Sequence, residues 1–110
     1  MKKIICLSLL LCAVHAAAAP SVADYEKHKN SNTIKTYVLG LGEAFLYATI
    51  DLEFNKKAPL FCPPRQLALT TENYIQILDN ELRGDKNFDS DAPVGLVLLE
   101  GLKKIFPCKK

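Results

Sequence analysis

From Val22 onward, apolar residues recur along the chain at steps of three and four, and the pattern predicts helices joined by short polar loops. The longest stripe runs Ile34, Tyr37, Val38, Leu41, Phe45, Ala48 and Leu52, and predicts one long helix opening near Thr33. Gly40 and Gly42 lie inside it at a cost of about 1 kcal/mol each relative to alanine, so close approach of a neighbouring helix is expected to offset them. Ahead of it, Val22 to Lys29 carries a weaker helical pattern anchored by Tyr25, and Asn30-Ser31-Asn32-Thr33 serves as a stop and a new cap. Pro59, Pro63 and Pro64 exclude a regular helix between Asn55 and Leu69.

A third helix is predicted after the capping residue Thr70, with Tyr74, Ile75, Leu78 and Leu82 on its buried side and Gly84 as terminator. The polar loop Asp85-Lys86-Asn87-Phe88-Asp89-Ser90-Asp91 follows, its last two residues suited to cap another helix. That last helix places Val94, Val97, Leu98, Gly101, Leu102 and Ile105 on one side, sets Lys103 and Lys104 near its negative end, and stops at Pro107. No stretch alternates with the period of two that a half-buried strand requires. The expected fold class is therefore all-α, a small helical bundle.

Composition changes this picture at the amino terminus. Met1-Lys2-Lys3, the apolar run Ile4 to Val14 and the small residues Ala16 to Ala19 have the layout of a cleavable secretory signal. The run is short of the roughly 20 apolar residues a spanning helix needs. Leu11 before Cys12 argues against lipid attachment. Residues 1–18 are thus expected to be a signal peptide cut within Ala16 to Ala19, and 19–110 a single exported domain. Removing Lys2 and Lys3 lowers the 14 basic residues to 12, equal to the 12 acidic ones, so net charge gives no reason to expect a nucleic acid or a membrane surface as ligand. Removing Cys6 and Cys12 leaves two of the four cysteines, and an even pair in an oxidising compartment reads as one disulfide, Cys62–Cys108. Closing that loop contributes about 4 kcal/mol on the chain-entropy estimate.

Motifs for chemistry are missing from the sequence. Beyond the signal, His28 is the single histidine, and a catalytic cysteine–histidine pair would need a thiol that the disulfide consumes. No Cys-x-x-Cys, His-Glu-x-x-His or phosphate-binding glycine loop occurs, so neither an enzyme nor a cofactor or metal is expected. The loop from Asp85 to Asp91 is the candidate for partner binding, through Asp85, Asn87, Phe88, Asp89 and Asp91, because an apolar anchor within a charged rim suits recognition. The competing reading has Phe88 folded onto the core and the aspartates capping the helix. A calcium loop is disfavoured, since the regular ligand positions and the bidentate glutamate are missing.

Tyr37-Val38-Leu39-Gly40 with Ala44, then Cys62-Pro63-Pro64, Leu69-Thr70 with Tyr74 and Leu82, Ala92-Pro93, Leu98-Leu99-Glu100-Gly101-Leu102 and the terminal Phe106-Pro107-Cys108 resemble the Rap/Tai immunity proteins. The resemblance covers the chain from about Tyr25 onward. It implies a periplasmic all-helical protein with one disulfide, commonly a homodimer. It also implies binding to a peptidoglycan amidase effector of type VI secretion, with surface residues lodged over the catalytic cysteine and histidine. Gly101 stands where many members of that family have alanine. The alternatives are an Hde-like acid-stress chaperone, or an envelope protein of the same fold without a toxin partner. The inserted element is expected at Gly84 to Asp91, with Asn55 to Leu60 as second candidate.

Overall fold

A computed structural model describes residues 19–109, so the expected signal peptide at 1–18 lies outside the described residues. Among the described residues four helices follow one another: α1 (Val22–His28), α2 (Asn32–Phe54), α3 (Thr71–Leu82) and α4 (Val94–Ile105). The protein is all-helical, and among the described residues the single bridge Ser21↔Pro93 is the only extended pairing. α3 packs on α4 and α2, and α2 also touches α4. Their shared core holds Val38 of α2, Tyr74 and Leu78 of α3, and Val97, Leu98 and Leu102 of α4. Tyr25 and Phe61 close its two sides from α1 and from the proline-rich segment.

Local chemistry accounts for most of the boundaries. Ser21 and Asp24 form a capping box at α1, Ser31 Oγ accepts the Ile34 amide at α2, and Thr70 with Asn73 forms a second capping box at α3. α2 ends in a Schellman motif: the Lys57 amide donates to the Leu52 carbonyl at 2.8 Å and the Lys56 amide to the Glu53 carbonyl at 3.0 Å. Lys56 takes the left-handed position with φ 56°, where glycine is usual.

The start of α4 differs from expectation. Ser90 and Asp91 do not cap it; its N-cap is Pro93, without a side-chain bond. The Pro20 carbonyl instead accepts the Val94 amide at 3.1 Å. The exchange is mutual, because Val22 and Ala23 of α1 donate to the Ala92 and Ser90 carbonyls at 2.9 and 2.8 Å. Two helix starts thus satisfy each other's free amides across the fold.

The phase of the buried faces also departs from the sequence reading. On α3, Ile77 and Glu81 are buried beside Tyr74 and Leu78, while Ile75 and Leu82 are half-exposed. Glu81 lies 3.8 Å from Lys104, and this charge partner lets a carboxylate sit on the α4-facing side. On α2, Ile34 and Val38 are buried as expected, but Thr49 and Gly42 take the inner positions and Ala48 is exposed. Ile105 is exposed at the end of α4.

The Cys62–Cys108 disulfide is present, with Cα atoms 4.9 Å apart and a sequence separation of 46. Beside it the Cys62 amide donates to the Phe106 carbonyl at 2.8 Å, so the proline-rich segment is held to the end of α4 by a covalent bond and a hydrogen bond.

Candidate functional site

The loop between α3 and α4 brings the five sequence-derived candidates together at one end of the bundle, but not in the same state. Asp85, Asn87, Asp89 and Asp91 are exposed, whereas Phe88 is half-buried and packs against the core. Of the two readings of this loop, the aromatic one resolves inward. The capping role of the aspartates does not follow, since Pro93 heads α4. What the loop presents outward is a rim of three carboxylates and an amide over a fixed aromatic base.

Its backbone is tethered at both ends. The Asp89 carbonyl accepts the Ala92 amide at 3.0 Å, and Ser90 binds α1 as described. Lys86 donates to Glu100 of α4 at 2.9 Å, and Lys103 reaches the other oxygen of that carboxylate at 3.3 Å. The hydrogen bonds from Lys86 and then Lys103 hold the Glu100 carboxyl below the usual carboxylate range, and the same contact raises Lys86. Glu100 and Lys86 therefore stay ionised through the neutral range, and the Asp85 side of the loop is anchored by charge as well as by packing.

The second candidate, Asn55 to Leu60, leaves the bundle at the Schellman turn. Asn55 to Ala58 are exposed, and Leu60 packs against the core. Directly before it lies a surface that the sequence reading passed over. Tyr47, Ile50 and Phe54 are all exposed and fall on one side of α2, with Phe54 at 87% exposure. Ile50 and Phe54, with Pro63, Pro64 and Leu67, border a groove of about 570 Å³ between the second half of α2 and the proline-rich segment. Thr49 lines the groove's helix side; the residue is 1% exposed and its Oγ1 has no hydrogen-bond partner. The available signal was that α2 is apolar all round, which for a helix on a bundle surface implies a second covered face.

The remaining chemistry is sparse. Both cysteines outside residues 1–18 are joined to each other, so neither thiol is available as a nucleophile. Among the described residues no group of three histidine, cysteine, aspartate or glutamate side chains is placed to hold a metal ion. No described helix is long and apolar enough to cross a membrane. The class so defined is a small all-helical, disulfide-pinned protein whose distinctive features lie on its surface. No family model, curated protein or solved structure matches the chain.

Proposed function

We propose that this protein is a periplasmic immunity protein that binds a type VI secretion peptidoglycan amidase and covers its active-site cleft. One observation carries the reading: Cys62-Pro63 and Phe106-Pro107-Cys108, the two most specific motifs in the resemblance to the Rap/Tai proteins, meet in space as one bonded corner. An oxidised, cross-linked helical frame suits a protein that must hold a binding surface in an exported compartment without reductant.

The rim Asp85, Asn87, Asp89 and Asp91 is the proposed contact with the amidase. Its carboxylates project from a loop fixed by Phe88, Lys86 and Ser90, so little ordering entropy is lost on binding. The test is inhibition of a peptidoglycan amidase encoded beside this gene, or of a panel of such enzymes, by the oxidised protein. Wild type should abolish cell-wall hydrolysis at equimolar ratio. The doubly reversed variant Asp85→Lys/Asp89→Lys, which leaves Phe88 in place, should inhibit at least tenfold more weakly, about the effect of losing charge complementarity at an interface. Equal inhibition by the variant would move the contact elsewhere, and no inhibition by wild type would reject the function.

A further inference from the structure

We propose that the groove between the second half of α2 and the Pro63–Leu67 segment binds a short free peptide of apolar residues, its amino end against Glu53 and its carboxyl end against Arg65. None of the residues lining the groove belongs to the Asp85–Asp91 rim, so the inference stands apart from the amidase reading.

The recess has the size and lining of a small-ligand site. Its volume of about 570 Å³ lies in the range that encloses a compact ligand, which for a peptide means a few residues. Leu46, Ile50, Phe54, Pro63, Pro64 and Leu67 form an apolar wall, and Ile50, Phe54 and Leu67 are left exposed there. Such sites add a small number of polar groups that fix the ligand's orientation. Here those groups are Thr49, Glu53 and Arg65.

The occupant follows from what each of the three can take. Thr49 is 1% exposed and its Oγ1 has no hydrogen-bond partner, an arrangement that costs stability unless a ligand amide completes the bond. Glu53 lies in the last turn of α2, at the negative end of the helix dipole, and no basic residue shares that turn. Lys56 and Lys57 follow it, but neither pairs with a carboxylate among the described residues. That helix end therefore favours an ammonium. Arg65, on the opposite wall, joins no ion pair there either, and its planar fork matches a carboxylate. A short free peptide carries both charges, amide groups between them and apolar side chains. An internal segment of a protein lacks the charged ends, and a fatty acid lacks the ammonium.

The test matches each charge to one end of the ligand. Trileucine, its N-acetylated form and its C-amidated form are titrated separately into the oxidised protein and followed by calorimetry. Each blocked form should bind roughly tenfold or more weakly than the free peptide, the effect of losing a charge-assisted hydrogen bond. Glu53→Gln should weaken the free peptide by about the same factor and leave the N-acetylated form as it was, and Arg65→Gln should do likewise with the C-amidated form. Thr49→Val should weaken all three forms alike, by about threefold or more. Glu53 and Arg65 are exposed, so unchanged melting temperatures of their variants separate loss of binding from loss of folding. Three results would each overturn the proposal: no binding of trileucine at millimolar concentration, charge variants that weaken both blocked forms alike, or equal binding of free and blocked forms, which would mark the groove as a seat for an internal segment of another chain.

Discussion

Gly42 and Gly40 lie two residues apart in the same helix and have opposite roles. A Cβ on Gly42 would run into the ring of Tyr74, whereas a Cβ on Gly40 would meet nothing within 4 Å. Gly42→Ala should therefore destabilise by about 1–3 kcal/mol through overpacking. Gly40→Ala should stabilise by about 0.5–1 kcal/mol, the ordinary gain at an exposed helical site. Thermal melts of the two variants should shift in opposite directions, and a matching sign would mean that the α2–α3 contact is drawn wrongly. Gly101 resembles Gly42: its Cβ would stand 2.8 Å from Ile77 Cγ2, so glycine at this position lets α4 approach α3 closely. Thr49 poses the reverse case. Replacing its unpartnered hydroxyl by the methyl of Thr49→Val should raise stability by about 1 kcal/mol or more, and a lower melting point would show that the hydroxyl has a partner in solution.

At the scale of elements, α1 is too short to stand alone and is held by tertiary bonds. Tyr25 is fully buried and its hydroxyl donates to Asp79 of α3 at 2.7 Å. Burial first, and then the Asp79 carboxylate, push the Tyr25 phenol well above its usual range. The unfolded chain would release that proton at about pH 10, so this contribution is whole below pH 10 and is lost as pH rises above it. Tyr25→Phe should cost about 1–2 kcal/mol at neutral pH. The gap to wild type should narrow in denaturant melts above pH 10, and a pH-independent gap would contradict the account.

The helices themselves were legible because Ser31, Thr70, Gly84 and the prolines punctuate strong periodic runs. Their phase was less so. Glu81 is buried through a lysine on another helix, Thr49 lines a groove made by a distant segment, and α4 is capped by Pro20 from the far end of the domain. Such long-range compensation leaves no local pattern to read. The loop candidate was legible as a place and not as a surface, because composition alone did not decide whether Phe88 points in or out. The outer stripe of α2 was hidden by the stronger inner one.

On the scale of the whole molecule, the Cys62–Cys108 bond joins the segment after α2 to the end of α4 and closes a long loop. Cys62→Ser with Cys108→Ser should cost about 2–4 kcal/mol, read as a lower denaturant midpoint that reduction of wild type reproduces. Below its melting temperature the same variant should still inhibit the amidase, since the rim from Asp85 to Asp91 is tethered by Lys86, Ser90 and Phe88 and not by the disulfide. The measurement closest to the central claim is a titration of the oxidised protein into a cell-wall-hydrolysing type VI amidase encoded beside this gene. The account predicts loss of hydrolysis that is complete at one inhibitor chain per enzyme; undiminished hydrolysis in the presence of excess folded protein would contradict it.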